Sequence, residues 1–168
     1  VEHTSGRRPL RVELKFNNYF LVLFMSAPRE VSYELNIDWD GFTGGVVRRD
    51  GDAIISFDTP VEFGGGGRAL CPDELFLSSI AGCLTTTFLF FTRRFKLRLL
   101  SYSLKVSGSI VFRHGRYEFT DLKAYFKVRV DKGLGDLALK CLNLTVDFCH
   151  ITNALRIGVK HDFSVEEA

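Results

Sequence analysis

Pro72-Asp73-Glu74-Leu75-Phe76-Leu77-Ser78-Ser79-Ile80-Ala81-Gly82-Cys83-Leu84-Thr85-Thr86-Thr87-Phe88-Leu89-Phe90-Phe91-Thr92 decides how this chain folds. Proline has no N–H to leave unpaired in the first turn of a helix. Acids there complement the positive end of the macrodipole. Pro72, Asp73 and Glu74 therefore mark a helix start. No charged residue occurs from Leu75 to Thr92, and Arg93, Arg94 and Lys96 then complement the carboxyl end. A run this long raises a transmembrane reading. Ser78, Ser79, Gly82 and the four threonines moderate its hydropathy, and the small residues permit close packing. A buried central helix is the expectation, with no membrane partner.

Upstream, Val31, Tyr33, Leu35, Ile37 and Trp39 fall on one face of a strand expected over 31–39. Residues 46–49 and 53–58 flank Asp50-Gly51, a hairpin signal. Pro60 closes this meander. The Gly64–Gly67 run lacks the Lys-Ser/Thr ending of a P-loop and the spaced glycines of a dinucleotide fingerprint, so it reads as a loop entering the helix. Residues 11–15 and 19–24 read as further strands. Downstream, 101–112 and 117–130 alternate on either side of His114-Gly115-Arg116, a second hairpin. Residues 134–148 read as a helix with Leu137, Lys140, Cys141, Leu144 and Phe148 on one stripe. A short helix over 151–155 and a strand over 159–165 complete the order. Strands, long helix, strands, helix, strand implies an α+β fold with antiparallel sheets.

The chain has 168 residues, 46% of them hydrophobic, enough for the core of one domain. Residues 31–168 form that domain in this reading, and 1–30 an N-terminal extension. Residue 1 is Val and the single Met is Met25, so residues 1–24 either follow a non-standard start or precede the natural one. Sixteen Phe against one Met and one Trp imply aromatic-rich packing. With 22 basic and 20 acidic residues the net charge is +2, which excludes a strong electrostatic pull on nucleic acid. The pairs Arg7-Arg8, Arg48-Arg49 and Arg93-Arg94 are scattered and make no stripe. Cys71, Cys83, Cys141 and Cys149 show no Cys-x-x-Cys spacing, so no metal site is expected. No secretory signal is visible, and a reducing cytoplasm fits best. There a cysteine pair is more often catalytic or redox-sensing than structural.

Cys83 and Cys149 are the chemical candidates. A thiolate that attacks a peroxide becomes a sulfenic acid, and a second thiol traps that product as a disulfide before over-oxidation. The cycle needs a thiolate stabiliser, a partner thiol in reach, and a mostly apolar pocket for an organic hydroperoxide. Cys83 lies well inside its helix, where the dipole helps little and burial raises the thiol pKa, so a nearby cation is required. Cys141, on an apolar stripe, reads as core filler. Cys71 reads as an exposed loop residue, and His114 and His161 as surface histidines.

Three stretches resemble the OsmC/Ohr superfamily (osmotically inducible protein C and organic hydroperoxide resistance protein). Cys71-Pro72-Asp73-Glu74-Leu75-Phe76 leading to Ala81-Gly82-Cys83 is similar to that family's Pro-Glu-x-Leu helix start and Ala-Gly/Ala-Cys motif. Cys149-His150-Ile151-Thr152-Asn153-Ala154-Leu155 resembles its Cys-Pro-x-Ser-x-Ala motif. Asp50-Gly51 through Pro60, with the glycine run, resembles the hairpin and loop before the helix. The likeness covers about residues 33–165. It implies two curved antiparallel sheets around long central helices, in an intertwined homodimer with two active sites at the subunit interface. It further implies a peroxidase with Cys83 peroxidatic and Cys149 resolving, no bound cofactor, and an external dithiol reductant such as a lipoyl group.

Asp73 occupies the acid position that in hydroperoxide-resistance members pairs with a thiolate-stabilising Arg. The departures are as informative as the matches. That Arg follows a Gly-Gly pair, whereas here Val46 follows Gly44-Gly45. Arg48 or Arg49 is left to substitute, and a shift of two residues keeps the strand face, which favours Arg48. His150 replaces the motif Pro and removes a rigid helix start. Thr152 replaces Ser and keeps a hydroxyl. These differences imply a divergent OsmC-like branch. Two alternatives share the fold: an apolar-ligand-binding protein without turnover, and a redox-sensing module in which Cys71 or Cys141 pairs between chains or swaps into the bridge.

Overall fold

The computed structural model describes residues 29–168, so the strands expected over 11–15 and 19–24 lie outside the described residues. Residues 29–35 carry no regular secondary structure and are exposed. Residues 36–168 form one compact α+β unit.

Its first sheet is antiparallel, in the order β1 (Asn36–Trp39), β2 (Gly44–Arg49), β3 (Asp52–Asp58). Asp50 and Gly51 both take left-handed backbone, φ 54° and 90°, the geometry that lets a two-residue hairpin follow the strand twist. β1 is shorter than the strand expected over 31–39. Asn36 already faces Arg48, next to the end of β2, so earlier residues have no neighbouring strand to bond. A Cβ on Gly45 would lie 2.6 Å from the Asp38 carbonyl oxygen and 3.0 Å from the Phe57 ring, so only glycine fits there.

A 3-10 turn (Val61–Phe63) and the glycine run lead onward. The residues flanking them, Thr59 and Arg68, are tied back to β3 by Asp58, which is 1% exposed. Its carboxylate accepts from Arg68 Nε (2.7 Å), the Thr43 hydroxyl (2.6 Å), the Arg68 N–H (3.0 Å) and the Thr59 N–H (2.9 Å). The Arg68 guanidinium, then these further donors, hold the Asp58 carboxyl far below the usual carboxylate range. Arg68 also pairs with Asp40 at 2.6 Å and lies over the Phe42 ring. The Gly66 N–H reaches the Thr43 hydroxyl and the Gly67 N–H the Thr59 carbonyl, so the run is the expected loop, pinned at its base.

Helix α1 (Pro72–Arg94) follows. Glu74 Oε2 accepts the Cys71 N–H at 2.8 Å, closing its first turn. Cys71, expected to be exposed, is buried at this cap. Ile80, Leu84, Phe88 and Phe91 form the buried stripe, at helical spacing. Phe91 meets Phe148 of α2 (Gly135–Phe148), whose buried residues are Ala138, Cys141, Leu142, Leu144 and Thr145, while Phe88 stacks on Tyr102. Lys140, expected on that stripe, is exposed instead. The buried face is centred on Ala138, Cys141, Leu142 and Thr145, and Lys140 lays its ammonium 4.7 Å from the Phe95 ring centre. By length and composition α1 could cross a membrane, but here it packs on α2 and on the strand Leu99–Arg113.

The second sheet has the order β4 (Leu99–Arg113), β5 (Arg116–Val130), β6 (Lys160–Glu167). In β5, Leu122, Ala124, Phe126, Val128 and Val130 are buried while the residues between them are exposed. The β4–β5 turn is His114–Gly115 alone, φ 52° and 80°, and Arg116 already pairs with Arg113. The expectation of antiparallel sheets throughout is corrected here. β6 runs parallel to β5, from Lys123↔Lys160 to Val130↔Glu167, and the sheet is mixed. The chain between them, with α2 and α3 (His150–Ala154), is a crossover long enough to return to the starting end of β5, which parallel pairing requires.

Candidate active site

Cys83 stands midway along α1 on its buried side, 8% exposed, and Cys149 is fully buried at the junction of α2 and α3. Tertiary packing of α3 against α1 brings these two sequence-predicted cysteines together. The junction is built locally. Cys149 leaves helical geometry (φ −68°, ψ 104°) and ends α2, while its N–H still bonds to the Thr145 carbonyl at 3.0 Å. The Cys149 carbonyl accepts from the Thr152 hydroxyl at 3.1 Å and the Asn153 N–H at 3.0 Å. The Asn153 side-chain amide donates to the Asp147 carbonyl at 2.9 Å. Thr152 thus keeps a hydroxyl where the turn uses one.

Several groups converge on the Cys83 sulfur. Burial pushes its thiol pKa up. The Ile151 N–H opposes this by bonding to the sulfur, the neighbouring Cys149 thiol reinforces it, and the Thr87 hydroxyl opposes it. The His150 imidazole is also there, Nδ1 at 3.6 Å and Nε2 at 3.8 Å from Sγ. All four cysteines are free thiols.

The other two predicted residues lie elsewhere in the single chain. Arg48 Nε pairs with Asp38 at 2.6 Å and its terminal nitrogen donates to the Gly51 carbonyl at 3.0 Å, bracing the first hairpin. Asp73 sits half-buried in the first turn of α1 and makes no ion pair among the described residues. In that turn Glu74, not Asp73, carries the capping contact. Sequence reasoning passed over two features. In the sequence His150 reads only as a missing proline, though its place beside Cys149 is the available signal. The Asp58–Arg68–Asp40 network had no local signal, because its members are joined only by the fold of the loop. No group of three or more potential metal ligands occurs among the described residues.

No curated protein matches the sequence of this chain. Solved structures match its fold. An OsmC-like protein of unknown function from Vibrio cholerae superposes with TM-score 0.70 at 16% identity, over 80% of this chain and 100% of that one. An OsmC-like protein from Mycoplasma pneumoniae gives 0.69 at 13%, over 82% and 99%. An organic hydroperoxide resistance protein from Legionella pneumophila gives 0.59 at 23%, over 82% and 99%. The family model for OsmC-like proteins matches residues 64–164, the span that holds the glycine run, the central helix and both cysteines of the site. On that match, and on a fold shared over 80% of this chain, the chain belongs to the OsmC-like family.

Proposed function

We propose that this protein is a thiol-dependent peroxidase. The observation that carries the reading is the juxtaposition of Cys83 and Cys149, two buried free thiols from separate elements. Cys83 attacks the terminal oxygen of a hydroperoxide. The S–O bond forms, the O–O bond breaks, and the products are Cys83 sulfenic acid and an alcohol, or water from hydrogen peroxide. The Cys149 thiol then displaces water from the sulfenic acid and forms the Cys83–Cys149 disulfide. An external dithiol, in our reading of lipoyl type, reduces the disulfide by exchange and leaves oxidised. The names of the Legionella relative and of a further Vibrio relative, both organic hydroperoxide resistance proteins, favour organic substrates. In this proposal the reaction needs no bound cofactor and runs in the cytoplasm.

The working unit in this proposal is a homodimer. Ile37, Trp39, Phe42, Ile54 and Val61 are all exposed in the single chain, apolar side chains that a second copy would cover. Asp73 and Arg48 keep their proposed roles beside Cys83 only through that second chain.

The test is consumption of cumene hydroperoxide and of hydrogen peroxide by the reduced protein with a dithiol donor. Turnover lost in Cys83→Ser is the expected result. One observation favours a second reading, ligand binding without turnover: the Cys83 thiol pKa is raised and no cation pairs with it among the described residues. Absence of turnover with both thiols reduced would select it.

A further inference from the structure

Cys83 faces a protonation problem. Its buried environment favours the thiol, and a neutral thiol is a poor nucleophile. Arg48 is held by Asp38 and Gly51. The basic group that does reach the sulfur is His150, which approaches with both ring nitrogens inside 4 Å. His150 itself is an exposed residue. Its position follows from the backbone. Because Cys149 breaks the helix, two consecutive residues, Cys149 and His150, are presented to the same sulfur. The resembled motif has proline at this position, which has no titratable group, so this chemistry belongs to this chain's own departure from the motif.

We propose that His150 is the acid–base partner of Cys83. The imidazole takes the thiol proton as sulfur attacks the terminal peroxide oxygen. The S–O bond forms, the O–O electron pair leaves with the departing oxygen, and the imidazolium returns the proton to that oxygen. Thiol plus hydroperoxide thus becomes sulfenic acid plus alcohol, and neutral imidazole is regenerated. The return of the proton rests on the peroxidase reading; activation of the thiol does not.

Few other titratable groups face the pair. Cys149 comes from the α2–α3 junction, and Thr87 and the Ile151 N–H supply neutral donors. Asp147, exposed near the end of α2, gives its backbone carbonyl to Asn153 and makes no ion pair with His150. From β4, Tyr102 meets α1 at Thr85, about 200° round the helix from Cys83. Among the described residues, no hydrogen bond or ion pair joins a charged side chain to Cys83 or to His150.

The test is the pH profile of Cys83 alkylation by iodoacetamide in the reduced full-length protein, with mass mapping, for wild type, His150→Gln and His150→Ala. Cumene hydroperoxide turnover runs in parallel. Both variants are expected to slow Cys83 alkylation and sulfenic acid formation at neutral pH by about a hundredfold, and to lose an inflection present in wild type. Cys141, buried in the core, stays unlabelled in any folded variant and reports integrity. Wild-type rates and profile in both variants would overturn the proposal. His150-dependent alkylation without peroxide turnover would keep the proton-acceptor role, and would remove the proton-return step together with the peroxidase reading.

Discussion

At the residue scale, the four cysteines differ by environment, and each difference is measurable. Cys141 is fully buried, and burial pushes its thiol pKa up to about 11. It should resist iodoacetamide in the native protein at neutral pH and react after unfolding, as mass mapping would show. In Cys149→Ser the trapping thiol is gone, so peroxide should leave Cys83 as a sulfenic acid that dimedone captures. An equal dimedone yield in wild type would mean that Cys149 does not resolve it. His161, expected at the surface, is half-buried, and its Nε2 has no hydrogen-bond partner among the described residues. Burial lowers its pKa below the ordinary histidine value, and the charge of Asp162 offsets this in part. The unfolded chain therefore binds the proton more readily. The contribution of His161 to stability is complete above the unfolded value, about pH 6.5, and is lost as pH falls through the lowered native value. In His161→Leu, the loss of stability between neutral and mildly acidic pH should shrink, as denaturant titrations at both pH values would show.

At the element scale, the β4–β5 ribbon has one irregularity that the sequence pattern does not announce. Ser107 faces Lys123 and Ser109 faces Thr120, so Asp121 and Leu122 together oppose Gly108. Asp121 takes φ 53° at this bulge and bonds Lys123 and Lys160 across the surface. Leu122 turns inward and is fully buried, and a Cβ on Gly108 would come 2.6 Å from its Cδ2. Gly108→Val should cost about 1–3 kcal/mol by overpacking. Phe88, fully buried and stacked on Tyr102 at 5.0 Å, anchors α1 to β4. Phe88→Ala should cost about 3–5 kcal/mol through lost burial and the cavity left behind. Chemical denaturation measures both.

At the scale of the whole molecule, the single chain leaves large apolar side chains uncovered, Trp39 at 74% and Phe42 at 74% exposed. Two copies burying this surface would explain it, and the proposed homodimer makes a direct prediction. The protein should sediment at twice the chain mass, with Trp39 emission shifted to the blue. Trp39→Glu should weaken association and shift the emission of neither Tyr nor Phe. A monomer with fully exposed Trp39 emission would remove the dimer, and with it the proposed roles of Asp73 and Arg48.

Sequence by itself determined the local elements. The first turn of α1 was legible because Pro72 and the acids beside it act within one turn, and both hairpins were legible because Asp50-Gly51 and His114-Gly115 suit left-handed backbone. The inward face of β5 was legible because side chains alternate along any strand. The two cysteines could be picked out by their motifs, but their meeting could not be derived, since distance between remote residues is set by how helices pack. Only the tertiary structure decided that β6 returns parallel, that Arg48 braces a hairpin of its own chain, and that His150 meets the Cys83 sulfur. Periodicity records which face of an element is buried. It does not record the direction in which the next strand arrives, or which side chain from a distant turn fills the space beside a given sulfur.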